Sequence, residues 1–94
     1  MSYYVYIIYS EKLQKFYTGI SEDLQKRLDA HLKGISDYTK KSSDWVLIWN
    51  IILPTKRDAL RLERKIKKRG AKRYLDDIGF RDVSRPKPWQ TRAL

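Results

Sequence analysis

Arg27, His31 and Glu63 are the residues whose types and positions could do chemistry. Arg27 and His31 are four apart, so on a helix they share a track and could together grip a phosphate. They border a stripe of leucines, Leu24, Leu28 and Leu32, also four apart. Glu63 is an anomaly of another kind. On a helical wheel it falls inside an apolar arc of Ala59, Leu60, Leu62 and Ile66, where a carboxylate is costly unless it is paired or coordinates a cation. Two outcomes follow: an ion pair with one of the many cations, or a metal ligand. One carboxylate, with waters and phosphate oxygens in the remaining positions, is the usual way Mg2+ is held.

The surrounding pattern specifies the elements that must position these groups. Residues 3–9 are an unbroken aromatic and β-branched run, which predicts a strand. Tyr4, Tyr6 and Ile8 lie on one face and Tyr3, Val5, Ile7 and Tyr9 on the other, so both faces need cover. Residues 10–14 are polar and end the run. Residues 15–20 return as a second strand, a hairpin that brings Tyr6 near Tyr17, with a tight turn expected at Gly19. A first helix is expected over about 22–33, with Ser21 as N-cap, Glu22 and Asp23 in the first turn and Gly34 as the stop. Asp23 is also a candidate ion-pair partner for Arg27. Residues 35–44 read as a loop with Lys40 and Lys41 at its centre. A third strand over 45–53 carries Trp45 and Trp49 on one face, as core residues, and Pro54 ends it. Thr55 caps a second helix that runs to about Arg69, with Gly70 as its C′ residue. Arg57, Arg61, Arg64, Lys65 and Lys68 share its cationic face. A short third helix covers about 72–78. The fold class is therefore α+β: one domain over 1–78, β-β-α-β-α-α, with a three-stranded, mostly antiparallel sheet flanked by helices. Residues 79–94, with two prolines and Trp89, form a tail.

Composition narrows the partners. The 94 residues carry 21 Lys and Arg against 11 Asp and Glu, a net charge of +10. A field of that sign attracts polyanions, nucleic acid first among them. With no cysteine and one histidine, disulfide frameworks, thiolate metal sites and multi-histidine clusters are excluded. No apolar run reaches membrane-spanning length, and the first residues lack a secretory pattern. The expectation is a cytoplasmic protein, monomeric, with no membrane partner.

One set of residues carries a resemblance to a known family. Tyr4-Val5-Tyr6 and Tyr17-Thr18-Gly19, with ten residues between Tyr6 and Tyr17, then Arg27, then Glu63 on a later helix, resemble the GIY-YIG endonuclease superfamily. The likeness is greatest to the small stand-alone bacterial branch related to the N-terminal nuclease domain of excinuclease C, and it covers about 2–75. Tyr4 stands where the family name has Gly, Val5 and Thr18 stand in place of Ile, and no Asn follows Glu63. The resemblance implies a metal-dependent phosphodiesterase in which Glu63 binds a single Mg2+ (or Mn2+) and Arg27 holds the scissile phosphate. Tyr6 or Tyr17 would orient or deprotonate the attacking water, with His31 assisting. A free tyrosine has a pKa of about 10, and a nearby Arg27 and metal would lower it. Lys40 and Lys41 are further candidates for phosphate contacts.

The implied function is Mg2+-dependent cleavage of DNA, in preference to RNA, structure-directed or weakly sequence-specific because no helix carries a base-reading pattern. DNA repair or recombination is the setting this suggests. The competing functions are a nucleic-acid-binding module with the same fold and little or no catalysis, and a basic adaptor for a protein or the ribosome.

Overall fold

The computed structural model describes residues 2–33 and 39–80. Their element order is β1 (Tyr3–Ser10), β2 (Lys15–Ser21), α1 (Leu24–Leu32), a 3₁₀ turn (Thr39–Lys41), β3 (Val46–Leu53), α2 (Lys56–Arg69) and α3 (Ala71–Asp77). The expected stop at Gly34, much of the loop after it and the tail with Trp89 lie outside the described residues.

The sheet order is β2-β1-β3, and both pairings are antiparallel. Central placement explains why β1 is apolar on both faces. Val5 and Ile7 pack with Ala59, Ile66 and Leu75 from α2 and α3. Tyr6 and Ile8 face the other way, with Trp45 and with Leu24 and Leu28 of α1. A protein of this size has few fully buried side chains to rely on, and β1 supplies many of them.

Three local expectations are corrected. Gly19 is not in a turn; it lies inside β2, directly opposite Tyr6. The N-cap of α1 is Asp23, whose carboxylate accepts from the Lys26 N–H at 3.0 Å. β2 extends as far as Ser21, which pairs with Tyr4, so the helix starts later than the Ser21 cap predicts. Trp45 and Trp49 do not share a face. The β1–β3 register shifts between Ile7, opposite Trp49, and Ile8, opposite Leu47. The extra residue is Ile48, and such a bulge breaks the two-residue alternation. Trp49 therefore packs toward α2 and α3, edge-on to Tyr74 at 5.5 Å, whereas Trp45 packs beside Tyr6.

α2 follows its sequence closely. Thr55 accepts from the Asp58 N–H at 3.1 Å, and Gly70, with φ +96°, takes the backbone conformation that disfavours side chains. Ala59 and Ile66 are buried, but Leu60 is exposed, so the apolar arc is narrower than expected. Arg69 donates twice to Asp77, at 2.8 and 3.0 Å, and ties the end of α2 to α3.

Candidate active site

The two tyrosines come from adjacent strands. Tyr6 faces Gly19 across the β1–β2 ladder, and Tyr17 lies opposite Ile8, so both rings are on the α1 side. The Tyr6 ring lies over Gly19. A Cβ built on that glycine would stand 2.5 Å from the Tyr6 Oη and 2.7 Å from Cζ. The absence of a side chain at Gly19 is what lets the Tyr6 hydroxyl reach out beyond β2.

There it meets α1. Arg27 and His31, one turn apart, point at the same spot. The Arg27 guanidinium lies close enough to the hydroxyls of both Tyr6 and Tyr17 for the two to act on its charge. Asp23, the alternative partner, is instead committed to the helix cap. Tyr6 Oη and His31 Nε2 are 2.7 Å apart, and the His31 ring sits edge-on to Tyr17 at 5.0 Å between centroids. Arginine only donates, so the nearby Arg27 charge favours the Tyr6 oxygen as acceptor on its side and the Tyr6 O–H as donor to His31.

The electrostatics support that direction. His31 is fully buried; burial, with the Arg27 charge beside it, pushes its pKa down to about 4, so the ring is neutral near pH 7. Burial also pushes Tyr6 up to about 12, outweighing the Arg27 guanidinium, which acts to lower it. The lowering expected from Arg27 is therefore overcome in the free protein. A raised phenol and a lowered imidazole both disfavour proton transfer from Tyr6 to His31. The hydrogen-bonded pair is neutral at rest.

Glu63 joins from α2, at the edge of its buried stripe. Its side chain is 19% exposed and pairs with Lys67 Nζ at 3.3 Å. Its charge acts on Tyr6, and Lys67 also lies 6.0 Å from the centre of the Tyr17 ring. Lys67 lines a recess of about 320 Å3 with Phe16, Tyr17, Thr18 and Ala71. A smaller recess of about 180 Å3 is lined by Arg27 and Lys26. A further recess, about 420 Å3 beside Tyr4, Glu22 and Leu47, contains none of these residues.

The structure thus brings Tyr6, Tyr17, Arg27 and His31 into contact, with Glu63 linked through Lys67. Lys40 and Lys41 are exposed on the 3₁₀ turn packed against α1. Lys67 was missed by sequence reasoning; its place four residues after Glu63 is the signal that could have found it.

Residues 2–75 match the family described as GIY-YIG catalytic domain. The chain belongs to the GIY-YIG family. This is a family of nucleases, acting on nucleic acid and typically using a divalent metal. Among solved structures the chain is similar to the UPF0213 protein BH0048 from Bacillus halodurans, known from a solution structure. The identity is 24% over 96% of this chain and 92% of the other, with a TM-score of 0.53, a likeness that shows the fold. No curated protein matches the chain. Among the described residues no helix is long and apolar enough to cross a membrane.

A divalent metal fits the residues present. Among the described residues no cluster of three or more His, Cys, Asp or Glu could form an all-protein cage. Glu63 is a hard oxygen donor, partly exposed and near the tyrosines. That suits a cation keeping most of its water and taking phosphate oxygens from the substrate.

Proposed function

We propose that the protein is a divalent-metal-dependent endonuclease that hydrolyses phosphodiester bonds in DNA, with Mg2+ or Mn2+ held by Glu63. One observation carries it: a permanently charged guanidinium close to two tyrosine hydroxyls, with a partly exposed carboxylate whose charge reaches Tyr6. Arg27 holds a non-bridging phosphate oxygen and offsets charge as it builds up. Tyr6 is fully buried and hydrogen-bonded to His31, with the Arg27 charge beside its oxygen, so it positions the guanidinium. Tyr17 is only partly buried and lines the recess, so its oxygen is the one that reaches a water; once its own proton has passed to solvent, the phenolate takes the proton of that water. The bound metal supplies Lewis acidity and a more acidic water. Lys67 holds Glu63 in the free protein, and a cation held by that carboxylate would leave the ammonium available to a phosphate. Lys40 and Lys41 extend the phosphate track. Phosphate contacts without a base-reading helix support structure-directed or weakly sequence-specific cleavage, of the kind used in repair or recombination. The cysteine-free composition supports a cytoplasmic setting.

The test is cleavage of plasmid and branched DNA with Mg2+ or chelator. Glu63→Gln should abolish cleavage. It should change stability by about 0.5 kcal/mol or less, because the pair it breaks has an exposed partner. Tyr17→Phe should lose roughly 100-fold or more in rate. A second function, binding without cleavage, is favoured by the Lys67 pairing of Glu63 and by the raised Tyr6. Metal-independent DNA binding with no cleavage by the parent would establish it.

A further inference from the structure

α2 has a third face that the site does not use. Its buried stripe of Ala59 and Ile66 lies on the sheet, and Glu63 and Lys67 border that stripe toward the tyrosines. At 100° per residue, Arg57, Arg61, Arg64 and Lys68 fall within about 60° of one another, opposite the stripe, and Lys65 adjoins them. All five are exposed. Among the described residues the close ion pairs are Lys67–Glu63 and Arg69–Asp77, and none of the five takes part in either.

Such a face is costly to the helix. Arg57 with Arg61, Arg61 with Lys65, and Arg64 with Lys68 are like charges four apart, an arrangement that opposes helix formation. Solubility needs no such concentration, since mixed signs serve it as well. The face runs about 16 Å along the helix, and duplex DNA carries about one negative charge per 1.7 Å of its axis. A recess of about 370 Å3 lined by Lys65, Lys68, Arg69, Tyr74 and Asp77 extends the cationic surface toward α3.

We propose that this outer face of α2 is a second docking surface for the phosphate backbone of duplex DNA, distinct from the site, so that one molecule holds two duplex segments. Charge complementarity and the separation of the two faces carry it. It rests on the DNA affinity of the proposed function but not on cleavage. A nuclease so built favours substrates in which two duplexes meet or cross.

The test uses the full chain and an Arg61→Glu/Lys68→Glu double variant. An immobilised 20-base-pair duplex captures the protein in chelator and low salt, and retention of a second, fluorescent duplex is measured. The parent should retain the second duplex at least tenfold better than the variant. In Mg2+ the variant should cut a short linear duplex within about twofold of the parent. The log–log salt slope of its binding should be shallower by about 2. Thermal melts check the fold, and relief of like charges predicts a variant that melts no lower than the parent. Equal retention by both proteins, including bridging through a dimer of sites, would overturn the proposal. So would a loss of cleavage as large as the loss of bridging, or capture of anionic lipid vesicles but not of duplex. If neither protein cuts DNA yet the bridging difference holds, the nuclease assignment fails and the second surface stands.

Discussion

Tyr6 touches the glycine of the opposite strand, the arginine and histidine of α1 and, through charge, the glutamate of α2. Gly19→Ala places a methyl 2.5–2.7 Å from a ring that is fully buried and cannot move aside freely. Overpacking of this kind costs about 1–3 kcal/mol, and displacing Tyr6 also pulls its hydroxyl off His31. Denaturant unfolding should show that loss together with a loss of cleavage, and an unaltered midpoint would mean the ring is not fixed there. His31 gives a pH dependence. Its folded value, about 4, lies below the unfolded 6.5, so the unfolded chain binds the proton first. The stabilisation is complete above about pH 6.5 and is lost as pH falls toward 4, by on the order of 3 kcal/mol. Tyr6 works in the opposite direction: its folded value is raised, so its contribution is lost above about pH 10. Urea midpoints across pH should show both limbs, and His31→Gln should flatten the acidic one. A histidine on a helix track was visible in the sequence; its burial was not, because that depends on Tyr6 arriving from β1.

At the scale of elements, local signals were legible and long-range ones were not. The two-sided apolar run of β1 and the Thr55 and Gly70 caps of α2 depend on neighbours in sequence, and they read correctly. Gly19 was misread because its reason is a cross-strand ring and not a turn. The split of Trp45 from Trp49 depends on a bulge that only the pairing with β1 reveals. Another long-range link was invisible. Ser10, fully buried at the end of β1, donates to Asp44 Oδ1 at 2.5 Å; Ser42 donates to the same oxygen, and the Lys12 N–H reaches Oδ2 at 2.9 Å. These bonds hold the Asp44 carboxylate well below its usual range, at about 2. One carboxylate thus pins the β1–β2 turn to the segment leading into β3. Asp44→Ala leaves the Ser10 hydroxyl buried without this acceptor, at a cost of about 1–3 kcal/mol. Hydrogen exchange in β1 and the turn should accelerate in that variant. If it changes only near residue 44, the clip is local and does not join the elements.

At the scale of the molecule the net charge of +10 acts on binding and on folding with opposite signs. Folding gathers cations that the unfolded chain keeps farther apart, most densely on the outer face of α2. Salt shortens the screening length from about 10 Å at 0.1 M to about 3 Å at 1 M, which relieves that repulsion. Among the described residues, Glu63–Lys67 and Arg69–Asp77, which salt also weakens, each have an exposed partner and contribute little. Melting temperature should therefore rise with NaCl. DNA affinity should fall, because each neutralised phosphate releases counterions that added salt disfavours. With five cations on phosphates the log–log slope is about −4.5, and affinity drops about 500-fold between 50 and 200 mM. Both trends can be measured on one preparation, by thermal melts and by fluorescence anisotropy with a short duplex. An affinity indifferent to salt would mean that the cations do not meet phosphates. A melting temperature that fell with salt would mean that attraction among the charges, and not repulsion, governs the fold.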